Sequence, residues 1–351
     1  MSKISLAVKY RPTTFDEVIE QDEVKTILKH QVDTKTVKSA YLFCGPAGDG
    51  KTTMARIFAS AINESKGLPI ELDAASNNSV DDIRNLIEEA KTKPLDSDYK
   101  VFIIDECHMI TPQGWNAFLK TLEEPPATAI FIMCTTDPQK IPQTILSRVQ
   151  RYNFQKISMQ GIVDRLKYIL TAESIMNPSY TEENENIAQA LEYIAKLADG
   201  GMRDAISMTD KCLSFSNQLT LENVTTCLGT IDYGTMFNLT NFIFDKNLKG
   251  AIGIIEDVYN AGKDIKLFVK QYLVFLLDVN KYFLGCDWKY IQMPSLDEYK
   301  SWLNSCGDYE RAESLSILRA ITSLNTEIKY SPYAKADIEV ALMRLTDDRT
   351  E

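Results

Sequence analysis

The sequence predicts an α/β nucleotide-binding domain followed by helical domains, and three observations carry that prediction. The first is Gly45-Pro46-Ala47-Gly48-Asp49-Gly50-Lys51-Thr52, which fits the phosphate-cradling pattern G-x-x-x-x-G-K-[ST]. The second is Val101-Phe102-Ile103-Ile104-Asp105-Glu106, a continuous apolar run that ends in adjacent carboxylates. A buried parallel strand reads in this way, and such sheets place ligands at the carboxyl ends of their strands. The third is a change of period near residue 157, where strand-like runs stop and helical spacing takes over.

The phosphate-loop motif has the flanks it needs. Tyr41-Leu42-Phe43-Cys44 before it has strand length, and Thr53 to Ala59 after it reads as helix. Glycines let backbone N–H groups close round phosphates, and the N-terminus of the next helix adds a favourable dipole. In such a loop Lys51 reaches the β- and γ-phosphates, and the Thr52 hydroxyl binds Mg²⁺.

Residues 1–157 supply strand candidates at 41–44, 70–73, 101–105, 129–135 and 151–155. Val80, Ile83, Leu86, Ile87 and Ala90 recur at helical spacing, with Ser79 and Asp82 as a capping signal. Thr111-Pro112 opens another helix with Trp115, Phe118, Leu119 and Leu122 on one face, and Pro125-Pro126 stops it. Gly200-Gly201 separates two helical patterns, the second running from Met202 to Leu213. Further amphipathic stretches fall at about 234–245, 248–260, 265–283, 309–329 and 333–346. In the longest, Ile265, Phe268, Val269, Tyr272, Leu273 and Leu276 share one face, and Lys266, Lys270 and Gln271 lie on the other.

Bulk properties narrow the function classes. A chain of 351 residues allows two or three domains. No apolar run approaches the roughly 18–20 residues of a membrane span, and Met1-Ser2-Lys3-Ile4-Ser5 lacks a secretory core. The expectation is a cytoplasmic protein. The 7 cysteines show no C-x-x-C spacing, and several sit in apolar runs as small core residues. His30 and His108 are the only histidines, which disfavours a histidine triad or a His-rich metal cluster. A net charge of −11 argues against a surface built throughout for nucleic acid, although it leaves room for a local basic track.

Several longer motifs carry a family resemblance. Asp105-Glu106-Cys107-His108 resembles the D-E-x-H box of the AAA+ clamp-loader ATPases. Phe118 to Pro126, Thr135 to Pro142 with Ile145-Leu146-Ser147-Arg148, and Lys9-Tyr10-Arg11-Pro12 with Thr14-Phe15 resemble motifs of the gamma/tau subunits of bacterial DNA polymerase III. Leu228-Gly229-Thr230 resembles the join into that family's third domain. The likeness spans essentially the whole chain, with the motifs in order.

The resemblance implies a AAA+ P-loop NTPase domain at 1–157, a helical lid at 158–229 and an all-helical collar at 230–351. It implies ATP and Mg²⁺ as cofactors. Tyr10, Arg11 and Pro12 then lie beside the adenine, and Gly45, Gly48, Asp49, Gly50, Lys51, Thr52 and Thr53 surround the phosphates. Thr52 and Asp105 hold Mg²⁺, and Glu106 activates water. Thr136 is the sensor hydroxyl, with Thr135 the alternative if the strand register differs by one. Arg203 reaches the nucleotide from the lid, and Arg148 is the arginine finger serving a neighbour's ATP, with Val149 where the family has Cys. Asn77, Asn78, Ser79 and Arg84 occupy the region that faces DNA. Met109 and Ile110 are placed either to meet the sliding clamp or to join the core.

There are departures. Asn63-Glu64-Ser65-Lys66-Gly67-Leu68-Pro69 stands where bacterial forms carry a four-cysteine zinc module, so no zinc is expected. Such trimming suits a viral version of the subunit, which would then work in host cytoplasm. Glu20 replaces a family Gly, and the chain stops soon after the collar, without a polymerase-tethering extension. The implied partners are the sliding clamp, primer–template DNA and companion subunits in a pentamer, with no membrane. Two other readings stay open: a AAA+ DNA-remodelling or branch-migration motor, and a structural, non-hydrolysing subunit of the clamp loader. The absence of an aromatic-hydrophobic-Gly pore loop weighs against the first. The presence of Lys51, Thr52, Asp105 and Glu106 weighs against the second.

Overall fold

A computed structural model describes residues 4–175, 182–216, 218–229, 233–291, 293 and 297–347. The chain divides into two compact units, Met1–Ser214 and Phe215–Glu351. The Thr230 of the expected join lies outside the described residues.

In the first unit α1 (Leu6–Lys9) and α2 (Asp22–Asp33) precede β1 (Ala40–Cys44). Next come α3 (Lys51–Ile62), β2 (Ile70–Asp73), α4 (Val80–Ala90) and β3 (Lys100–Asp105). Then follow α5 (Pro112–Glu123), β4 (Ala129–Thr135), α6 (Gln143–Leu146) and β5 (Gln150–Asn153). Helices α7 (Met159–Ala172), α8 (Glu182–Ala198) and α9 (Met202–Phe215) complete the run.

The strands form one 5-stranded sheet in the order β2-β3-β4-β1-β5, and every pairing is parallel. Strand alternation sorts side chains to two faces. Tyr41, Phe43, Val101, Ile103, Ile130 and Ile132 join a core with Val24 and Leu28 of α2 and Met54 and Phe58 of α3. Leu42, Phe102, Ile104, Phe131 and Met133 join the opposite core with Ile83 and Leu86 of α4 and Trp115 and Phe118 of α5. The central β4 is buried at every position, as a strand covered on both faces must be.

The caps agree with the sequence. Ser79 and Asp82 form a reciprocal capping box on α4, and Thr111 accepts from the Gly114 N–H with Pro112 behind it. Strand β5 ends at Asn153, short of the expected 155. The physical reason is that its partner β1 ends: Cys44 O accepts from Phe154 N at 2.7 Å, and from Gly45 the chain turns into the loop. Beyond the ladder, Gln155 N donates to Gln21 Oε1 at 3.1 Å, and Gln21 Nε2 donates to Gln155 O at 2.7 Å. Helix α2 had no prior expectation because its apolar stripe is thin: Val24 and Leu28 are buried, whereas Ile27 is exposed.

The second unit is helical: α10 (Leu221–Leu228), α11 (Tyr233–Phe244), α12 (Leu248–Asn260), α13 (Ile265–Phe283), α14 (Asp297–Ser305), α15 (Asp308–Glu327) and α16 (Ala334–Thr346). Its core centres on α13, whose Phe268, Tyr272, Phe275 and Leu276 pack with Ile317 and Ile321 of α15 and Leu342 of α16. Two buried polar contacts fix that packing. Tyr272 and Thr240 share a hydroxyl hydrogen bond at 2.9 Å, and Ser314 Oγ donates to Asn280 Oδ1 at 3.1 Å.

Candidate nucleotide site

The carboxyl ends of β1, β3 and β4 open into a cleft of about 450 Å³. Its floor comes from the phosphate-loop segment. Gly50 is the N-cap of α3 with φ +97°, a conformation that L side chains rarely adopt, and so the loop turns there. Gly48, Asp49, Gly50, Lys51, Thr52 and Thr53 all line the cleft. Gly45 lies one step behind it, where its N–H donates to Thr135 O at 3.2 Å.

The register of the sheet sets the acidic side. Thr52 Oγ1 donates to Asp105 Oδ2 at 2.8 Å, so helix start and strand end share a hydrogen bond. Asp105 Oδ1 accepts from Glu106 N at 3.0 Å. Glu106 has φ +46°, an uncommon backbone for a residue with a Cβ. Its Oε2 accepts from Thr136 Oγ1 at 3.0 Å and lies 3.3 Å from His108 Nδ1. Thr136 lines the cleft. Thr135 is fully buried at the strand end, with its Oγ1 3.2 Å from His108 Nδ1.

The opposite wall is built by segments remote in sequence. Tyr10, Arg11 and Pro12 line the cleft with Val18 and Ile19. Tyr10 OH donates to Glu173 at 2.6 Å, while its backbone O accepts from Arg165 Nη2 at 2.9 Å. Arg203 and Met202, in the first turn of α9, complete the wall. Met202 N donates to Gly48 O at 3.0 Å.

Several lining residues had no expectation attached, among them Arg56, Ile157, Arg165, Asp204 and Ile206. Arg165 sits mid-helix with no motif round it, so only the fold could bring it here. Glu20 is another. Glu20 and Gln21 both have positive φ, +54° and +56°. The Glu20 carboxylate accepts from Ser158 N at 3.1 Å and from Ser158 Oγ, at the N-cap of α7. A carboxylate there suits the helix dipole.

Other predicted residues lie outside the cleft. Arg148 follows α6, and its guanidinium donates to Glu123 at 2.6 Å and to Thr144 O at 2.6 Å. Asn77 Nδ2 donates to Asp73 O at 3.1 Å, and Asn78 O accepts from Thr111 N at 3.3 Å. Ser79 spends its hydroxyl on the cap, and Arg84 pairs with Asp81 at 3.1 Å on an exposed face. Ile110 is core, which removes it from any docking surface, whereas Met109 is exposed. Among the described residues, no group of three or more His, Cys, Asp or Glu side chains is placed to hold a metal ion. Nor, among them, is any helix long and apolar enough to cross a membrane.

An all-parallel sheet with a glycine-turned loop at one strand end and paired carboxylates at another defines a P-loop NTPase of the AAA+ class. Solved structures agree on the fold. A RuvB variant from Thermotoga maritima matches with a TM-score of 0.51 at 19% identity, covering 67% of this chain and 79% of that one. Comparison by sequence is more specific. Residues 68–158 match the DNA polymerase III delta subunit family, 161–218 the clamp loader subunit ATPase lid domain, and 219–349 domain III of subunits gamma and tau. The DNA polymerase III subunit gamma of Buchnera aphidicola subsp. Schizaphis graminum is 31% identical, covering 77% of this chain and 78% of that protein. DNA polymerase III subunit tau of Bacillus subtilis is 38% identical, covering 80% of this chain and 52% of its own length. For subunit tau of Escherichia coli the identity is 33% and the shares are 79% and 45%. This chain belongs to the DNA polymerase III gamma/tau family. It spans about half the length of several of the curated relatives it matches.

Proposed function

We propose that the chain is the ATP-hydrolysing motor subunit of a replicative clamp loader. The observation that carries this is the convergence, in one cleft, of Lys51, the Thr52–Asp105 pair, the Glu106–Thr136 pair and Arg203. The apolar Val18, Ile19, Ile157 and Ile206 offer a wall for a purine beside Tyr10, Arg11 and Pro12. The glycine-turned loop then offers N–H donors to phosphates.

Thr52 Oγ1 and Asp105 Oδ2, 2.8 Å apart at the floor, are hard oxygen donors of the kind Mg²⁺ takes alongside water and phosphate. Bound there, Mg²⁺ would neutralise phosphate charge. Lys51 holds the β- and γ-phosphates, and Arg203 adds a cation from α9. Thr136 keeps the Glu106 carboxylate in place, and that carboxylate takes the proton of the attacking water. Arg148, outside the lining of its own cleft and paired with Glu123, serves the γ-phosphate of a neighbouring subunit. Asn77, Asn78, Ser79 and Arg84 face DNA. Segment 63–69 contains no Cys or His, which supports a subunit that carries no zinc. The working assembly is a pentamer acting in the cytoplasm on a sliding clamp and primer–template DNA. Its subunits are divided as 1–157, 158–229 and 230–351, with α10 closed by Gly229 just before the last boundary.

The test is steady-state ATPase activity with and without primed DNA and a sliding clamp. Stimulation by the pair is expected. Hydrolysis indifferent to both would remove the clamp-loader assignment, and no hydrolysis in the assembled complex would leave a structural subunit.

A further inference from the structure

Lys51 is not idle in this structure. Its Nζ donates to Gly45 O at 2.8 Å, to Pro46 O, and to Asp49 Oδ1 at 2.9 Å. An ammonium group has three donors, so all are engaged and a phosphate oxygen must displace one acceptor. Two of those acceptors are neutral carbonyls, and Asp49 is the anion.

Asp49 is unusual for its place. Its side chain is 1% exposed beneath a loop meant for a polyanion. Oδ1 also accepts from Lys51 N at 3.3 Å, and Oδ2 is buried with no hydrogen-bond partner. The fit is tight: a Cβ on Gly45 would stand 2.2 Å from Oδ2 and 2.8 Å from Phe154 Cβ, so glycine is what leaves the carboxylate room. Burial pushes the Asp49 carboxyl up from its ordinary value, against the pull of the Lys51 charge. Among the described residues, Lys51 and the loop's own backbone are what stabilise this carboxylate.

We propose that Asp49 is an internal counter-ion that competes with nucleotide phosphate for Lys51 and sets the affinity of the site. The inference rests on the nucleotide reading above. When phosphate takes the Lys51 ammonium, Asp49 loses the one cationic partner it has among the described residues and stays buried, and a second set of negative charges arrives above it. An unpaired buried charge is costly, and binding bears that cost. A chain with a neutral side chain at 49 would not.

The test is titration of the full chain with Mg·ADP, followed by calorimetry, for the wild type, Asp49→Asn and Asp49→Val. Asp49→Asn keeps the shape and should bind about tenfold more tightly, the scale of one charge-assisted hydrogen bond. Asp49→Val should move the same way. Tighter binding is a change that a merely structural residue would not produce. Equal or weaker binding by variants with wild-type melting would overturn the proposal. So would failure of both variants to fold, since Asp49 would then be structural. A wild-type chain that binds neither ADP nor ATP would instead remove the nucleotide reading itself.

Discussion

The two sides of the cleft are built differently. The floor is set by the sheet: loop, helix start and strand ends meet through hydrogen bonds such as Thr52 to Asp105, on a sheet buried on both faces. The opposite wall is long-range. Residues 10–21 are held to α7, to Glu173 beyond it and to Gln155 by side-chain hydrogen bonds, those of Tyr10, Glu20, Gln21 and Arg165. A floor set by a packed sheet cannot shift without repacking. The wall shares that core through Phe15 and Val18, but its contacts with α7, Glu173 and Gln155 are exchangeable hydrogen bonds, and that is where a response to nucleotide should reside.

Substitutions can break or sharpen that contrast. The largest effect is expected outside both regions: Arg148→Ala should leave nucleotide affinity unchanged while turnover in the assembly falls by about 10³ or more. Single-turnover hydrolysis checks it, and near-normal rates would make the cleft complete within one chain. On the floor, Lys51→Ala should weaken ATP binding by about 100-fold or more, as two charge-assisted bonds are lost. Retained tight binding would contradict the role given to the loop.

On the wall, Glu20→Ala should cost only about 1–3 kcal/mol in thermal unfolding, from the lost hydrogen bonds at Ser158, with about fivefold in affinity. Glu20→Gly should recover part of the stability, because glycine takes a positive φ without strain. If Glu20→Ala matched Lys51→Ala in binding, the wall would be as fixed as the floor. The smallest effect is Tyr10→Phe, which loses one hydroxyl bond to Glu173 and about 0.5–1.5 kcal/mol. Chemical denaturation would measure it.

The contrast also explains what the sequence could disclose. Strand runs, the glycine loop, the terminal carboxylates and the Ser79 and Thr111 caps are local, so each is legible within a few residues. Thr136 against Thr135 turned on one residue of register, and only the paired strands locate Thr136 at the cleft and Thr135 in the core. Arg165, Ile157 and Ile206 carry no local mark, since their place depends on how α7 and α9 lie against the sheet. Glu20 did stand out as a departure, yet its partner Ser158 is 138 positions away. Asp49 read as one more loop position. Its buried contact with Lys51 depends on how the loop folds back on Gly45 and Phe154.

The hydrogen bond from Met202 N to Gly48 O joins two main-chain atoms. Only proline at 202 would delete it directly, and a Cβ on Gly48 would stand 3.0 Å from Gly201 Cα. The link thus asks for glycine at 48 and an N–H at 202, and nothing of any side chain's polar groups. Sequence drift can rewrite the pocket's polar decoration while this mechanical tie persists. Its amide proton is accordingly a native reporter: hydrogen exchange at Met202 would register movement between α9 and the loop without any label or mutation.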